Sequence, residues 1–160
     1  MDKASRKFQS WGYLLLGCRY VLWLHQATDV KSLNVYKIFN FSGVSKIIQA
    51  IQNDKQPNES IDYFTPEWNL LHMRQNFPNS EHPLDAPSQL SKMLSLAKRL
   101  SGDLPFVRTD FYQVNGQIYF SEYTFYSDAG MARFTPTEWD NTLGDWIKLP
   151  SQKEKKETKK

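Results

Sequence analysis

The chain has 160 residues, 40% of them apolar and 14% aromatic, which suits one modest domain with a core and excludes an intrinsically disordered chain. Its net charge of +3 resides in the last ten residues, SQKEKKETKK, so the body is balanced and offers no electrostatic case for nucleic-acid binding. A single cysteine, Cys18, cannot form a disulfide framework within the chain, so a reducing compartment, the cytoplasm, is the expected location.

The most apolar stretch, WGYLLLGCRYVLWL at residues 11–24, is too short to span a bilayer and is interrupted by Arg19. No transmembrane segment is expected; the stretch reads as a buried core or interface segment. VYKIFNF at 35–41 alternates into a strand, Ser42-Gly43 supplies a turn, and VSKIIQAI at 44–51 reads as the partner strand. The polar run NDKQPNES at 53–60 reads as a loop, and residues 61–87 as irregular chain ordered by aromatics, with one short helical turn near 66–73. Residues 88–101 read as a helix. Leu90, Met93, Leu94, Ala97 and Leu100 form one apolar stripe, Asp85 or Ser88 is placed to cap its start, and Gly102 to cap its end. A long hairpin, VRTDFYQVNGQIYFSEYTF at 107–125, turns at Asn115-Gly116. After it come Gly130, a Pro-containing loop with Trp139, and a short closing helix or strand ending at Pro150. The fold class expected is α+β, an antiparallel sheet with packed helices.

The hairpin carries Arg108, Asp110 and Glu122 in its middle. Side chains alternate along a strand, so whether these charges meet depends on the turn. A strict two-residue turn pairs Asp110 with Ser121 and sends Glu122 to the other face. A bulge or a three-residue connection restores the parity. The three-residue form sets Arg108 opposite Glu122 and Asp110 opposite Phe120, with all three charges on one face. Two carboxylates and the Thr124 hydroxyl are hard oxygen donors suited to Mg²⁺, and Arg108 can fork onto phosphate or carboxylate. The competing reading is a cross-strand Arg–Glu pair on a solvated face.

The hairpin resembles the C-terminal metal-binding hairpin of ATP-grasp enzymes, in which an Arg-x-Asp strand precedes a strand carrying Glu. The closer resemblance is to the TupA-like branch, associated with teichuronopeptide and other cell-surface polymer biosynthesis. It rests on YKIFNFSGVSKII, EWNLLHMRQNFPNSEHPLDAP, KMLSLAKRLSGDLPFVRTDFY and YFSEYTF with WDNTLGDWIKLP after it, and covers residues 36–150. The resemblance implies an ATP-grasp-like C-terminal half at 36–150, between a divergent segment at 1–35 and a disordered basic tail at 151–160. It implies ATP and Mg²⁺ as cofactors, with Asp110, Glu122 and Thr124 as metal ligands. Arg108 is then the catalytic residue that contacts phosphate or the acceptor carboxyl, and Lys37 and Lys55 are nucleotide-phosphate contacts. Thr124 replaces the Asn of most ATP-grasp enzymes and is the poorer ligand. The reaction implied is activation of a carboxylate to an acyl phosphate, followed by attack of an amine. The implied partners are a nucleotide and a cell-surface polymer precursor.

Residues 1–35 contain no lysine-plus-glycine-rich lid and no acidic adenine hinge, with Val35 where Asp is usual. The chain is therefore expected to be incomplete as a catalyst alone, unless a second chain supplies the missing half. Two alternatives stand beside the ligase: a non-catalytic, degenerate binding module, and a glycosyltransferase of polysaccharide biosynthesis, as members of this branch are often described. His25, His72 and His82 lack ligand spacing, and Cys18 lacks an activating partner. Trp68, Trp139 and Trp146 read as core anchors rather than a sugar platform.

Overall fold

The computed structural model describes residues 34–149. The expectations for 11–24, Cys18, His25 and the tail at 151–160 lie outside the described residues, as does all but the end of the 1–35 segment. Six strands form one antiparallel sheet: β1 (Val35–Phe41), β2 (Val44–Gln52), β3 (Ser60–Phe64), β4 (Leu70–Leu71), β5 (Val107–Val114) and β6 (Gln117–Thr124), in the order β4-β3-β2-β1-β5-β6. Two helices accompany it, α1 (Leu90–Ser101) and α2 (Glu138–Trp146). The α+β expectation holds. Among the described residues no helix is long and apolar enough to cross a membrane.

Alternation gives the sheet two apolar faces. Tyr36, Ile38, Ile48, Ala50, Phe64 and Phe111 pack against Met93 and Ala97 of α1. Val35, Phe39, Phe41, Ile47, Ile51, Ile61 and Tyr63 point the other way, under Met73, Phe134 and Leu143. Among the described residues that second face is covered by irregular chain and α2 rather than by a long helix, which leaves room for clefts. The covering chain is pinned by reciprocal backbone hydrogen bonds between Arg74 and Thr135, at 2.9 and 2.8 Å.

Three local readings need correction. Residues 60–64 are a strand rather than irregular chain, and no helical turn forms at 66–73, where a turn and β4 stand instead. Neither Asp85 nor Ser88 caps α1. The Gln113 side chain of β5 does so, accepting from the Gln89 N–H at 3.3 Å and donating to Ser88 Oγ at 3.0 Å. The closing element is a helix.

The β1–β2 turn docks on the end of α1. Ser42 N–H donates to the Leu104 carbonyl at 3.0 Å, and a Cβ placed on Gly43 (φ +77°) would stand 2.6 Å from the Gly102 carbonyl oxygen. Gly116 also has positive φ, but open space surrounds it. Gly116→Ala is therefore expected to cost about 1–2 kcal/mol, the strain of a left-handed alanine alone. Gly43→Ala adds a backbone clash and should lower the urea midpoint clearly more. Equal effects of the two substitutions would contradict this packing.

Candidate functional site

The hairpin does turn in two residues: Asn115 and Gly116 both have positive φ, and Val114 pairs with Gln117. Of the two ways left open for restoring parity, the three-residue connection is absent and the bulge is present. Parity is restored farther along, where the register shifts between Asp110 and Phe111 and leaves Ser121 as the extra residue of a bulge. Asp110 consequently faces Glu122, and Arg108 faces Thr124, rather than Glu122.

The bulge completes a polar row across five strands. Tyr63 pairs with Gln49, Gln49 with Lys37, Lys37 with Asp110, and Asp110 with Glu122. Directly paired residues project to the same side, so all five share the face away from α1. Apolar rows flank this one: Ile61, Ile51 and Val35 on one side, Ile47 and Phe39 on the other.

Arg108 and Asp110 form the centre. Arg108 Nε–H donates to Asp110 Oδ1 and an Nη2–H to Oδ2, both at 2.8 Å. The same guanidinium donates to Ser127 Oγ at 2.7 Å and Thr124 Oγ1 at 3.0 Å. Lys37 Nζ lies 3.9 Å from Asp110, and Glu122 Oε1 lies 3.8 Å from Arg108. Asp110 is 2% exposed, and burial pushes its carboxyl up from the ordinary value against the opposing pull of Arg108 and then Lys37. Glu122, by contrast, has 62% of its side chain exposed. Burial likewise raises the Tyr63 phenol, which stays protonated and accepts from Gln49 Nε2 at 3.2 Å. Gln49 Oε1 is buried without a hydrogen-bond partner.

Above the row opens a cleft of about 230 Å³. Lys37 and Arg108 line it, with Glu122, Thr124, Gln49, Ser127 and the carboxylates of Asp54, Glu59 and Asp128. Five of the six expected site residues thus come together: Lys37, Arg108, Asp110, Glu122 and Thr124. Asp110 lies beneath the cleft wall. Lys55 does not join them. It is exposed on the turn after β2 at φ 63°, its N–H donating to Glu59 Oε2, and it does not line the cleft. The sequence reading missed Gln49, Asp54, Glu59, Ser127 and Asp128. Gln49 had a signal, a polar residue inside the apolar run IIQAI. Ser127 and Asp128 sit in a tight turn, with Asp128 and Ala129 at φ 47° and 54°, a conformation their residue types do not announce.

Other expectations for packing residues hold. Trp68 stacks on Phe64 at 4.2 Å, Trp146 meets Phe41 edge-on at 5.4 Å, and Trp139 Nε1–H donates to the His72 carbonyl. His72 and His82 are exposed and line neither cleft.

Among the described residues, no group of three or more His, Cys, Asp or Glu side chains is placed to cage a metal. The donor set at the row is a pair of facing carboxylates. Each Asp110 oxygen accepts one N–H and keeps a second lone pair. That set fits Mg²⁺, which takes one or two carboxylates and completes its shell with water and phosphate oxygens.

The sequence profile described as TupA-like ATPgrasp matches residues 24–148, well over half of the chain. No curated protein and no solved structure matches.

Removing one partner of a buried ion pair strands the other charge, so Arg108→Ala should cost about 3–5 kcal/mol in urea unfolding. The double substitution Arg108→Met/Asp110→Leu should recover most of that loss. If the double variant is as unstable as the single one, the pair is not the source of the cost.

Proposed function

The chain belongs to the TupA-like ATP-grasp family, and from that premise we propose that it binds magnesium-chelated ATP at the Lys37–Arg108–Asp110–Glu122 row. With the lid and adenine contacts that residues 1–35 lack supplied by a second chain, it uses the nucleotide to activate a carboxylate for attack by an amine, in the cytoplasmic synthesis of a cell-surface polymer precursor. The observation that carries this reading is the Ser121 bulge, which turns Glu122 toward Asp110 and beside Arg108. Bulges are common on edge strands, and β6 is one, but this bulge also sets the parity of Glu122. A site that must bring two carboxylates and a guanidinium to one face does need it.

The residues divide the work. Lys37 and Arg108 present the positive charge that attracts phosphate oxygens and offsets charge on a phosphoryl group in transfer. Arg108 is held in place before any ligand arrives, because Asp110, Ser127 and Thr124 fix its planar fork. Asp110 and Glu122 would hold the magnesium ion. When bound, the ion supplies Lewis-acid polarisation and neutralises phosphate charge. The cleft demands such an ion. Two cations face four carboxylates in its lining, so an uncomplexed polyphosphate meets net repulsion there.

A second reading, an anion-binding module without catalysis, is favoured by one feature: Arg108 already engages both oxygens of Asp110. In that case nucleotide binds in the presence of magnesium, but no ADP forms with any carboxylic acid acceptor.

Release of ADP on adding carboxylic acids and amines separates these outcomes, and calorimetric titration tests the magnesium site that both share. ATP should bind in magnesium and fail to bind in excess EDTA. Glu122→Gln, at an exposed side chain, should weaken binding in magnesium several-fold while leaving the fold intact. Equal affinity with and without magnesium would contradict the assignment of the two carboxylates.

A further inference from the structure

A second cavity, of about 660 Å³, lies beside the polar cleft, between the end of β1, residues 104–106, residues 125–134 and α2. Its size falls in the roughly 300–1,000 Å³ range of small-molecule sites. Phe39, Phe41, Phe106, Phe134 and Leu143 line it, and the rim carries Tyr126, 82% exposed, and Leu149, 79% exposed. So much exposed apolar surface around one groove marks a binding site more often than a plain surface.

Two observations tie this groove to the ionic centre. Gln75 and Ser127 line both cavities, so they form the partition between them. Ser127 Oγ accepts from Arg108 at 2.7 Å, which brings the guanidinium to that partition. Phe39, on the groove, pairs directly with Arg108 across β1 and β5, on the same face of the sheet. A cation thus stands at the mouth of an aromatic trough.

We propose that the groove holds the body of an amphiphilic anion, an aliphatic chain bearing a carboxylate or phosphate head, as the second substrate of the site. The head reaches Arg108 and Lys37, and the chain crosses Gln75 and Ser127 to lie on Phe39, Phe41 and Phe106. A nucleobase is a poorer fit, because the groove offers few polar side chains to read its edge and part of what it offers is engaged. Gln75 Nε2 donates to the Ala132 carbonyl at 3.0 Å, and Asp140 Oδ1 accepts from the Phe134 N–H at 3.2 Å. The inference rests on the reading of Arg108 as an anion contact.

Gly144 supplies the test. It lies on α2, lines the groove, and a Cβ there meets nothing within 4 Å, so Gly144→Phe can fill the trough without a backbone clash. Calorimetry on the full chain would compare methyl and octyl phosphate, and acetate and octanoate, below micellar concentrations. The octyl member of the preferred head should bind at least about tenfold tighter than its short counterpart, as burial of a few methylenes requires. Gly144→Phe should erase that difference and leave ATP binding in magnesium unchanged. A chain-length effect for one head alone identifies the head. No chain-length effect in the wild type, or one that survives Gly144→Phe, overturns the proposal. ATP binding without a chain-length effect sinks this inference alone; a chain-length effect without ATP binding sinks the nucleotide reading instead.

Discussion

Arg108 and Asp110 form a two-pronged ion pair inside the sheet, and the surrounding residues are arranged around the cost of keeping it there. Desolvating two charges costs several kcal/mol per ion even after relaxation. Arginine cannot escape that cost by losing its proton. The structure answers by engaging four of the five guanidinium N–H donors. Asp110 occupies two corners of the guanidinium, Thr124 and Ser127 take further donors, and Lys37 adds a second positive charge at 3.9 Å. A charge held so firmly in a protein of this size is weak support for stability. It is consistent with the proposed role of Arg108 as an anion contact kept in position for a ligand.

From this pair the asymmetry of the sheet follows. The face toward α1 is dry and packed, with Met93 and Ala97 fully buried. The other face carries one polar row beside apolar ones, and among the described residues its cover is not a continuous helix. Irregular chain lies there instead, and it leaves two cavities separated by Gln75 and Ser127. The Ser121 bulge is the hinge of this arrangement. Without it Glu122 would point to the α1 side, where its carboxylate would meet apolar packing and the row would end at Asp110.

Much of this was legible in the residues. VYKIFNF and VSKIIQAI alternate cleanly, Asn115-Gly116 marks its turn, and the Leu90–Met93–Leu94–Ala97 stripe announces α1. The strand SIDYF was lost because buried Asp62 interrupts its apolar pattern, and its neighbourhood is rich in Pro and Asn. That carboxylate is accommodated by the Ser80 N–H at 3.1 Å, a contact 18 residues away that no local pattern displays. The helix cap was misplaced for the same reason, since Gln113 supplies it from another element. The parity of the hairpin was posed correctly by the sequence, with a bulge as one of two solutions, but neither the choice nor the bulge's position could be read. A bulge at Ser121 needs no glycine and leaves no mark in composition. Lys55 was counted with the site through the family resemblance, but it sits on a turn whose carboxylates, Asp54 and Glu59, line the cleft in its place.

The central claim is that the facing carboxylates of β5 and β6 hold a divalent ion beside the Arg108 guanidinium. Crystals grown with an ATP analogue and Mn²⁺ in place of Mg²⁺ would test it most directly, through the anomalous scattering of manganese. The account predicts a single strong anomalous peak within coordination distance of both Asp110 and Glu122, with phosphate oxygens completing the shell. A nucleotide bound elsewhere on the chain, or a manganese peak away from these two side chains, would contradict it.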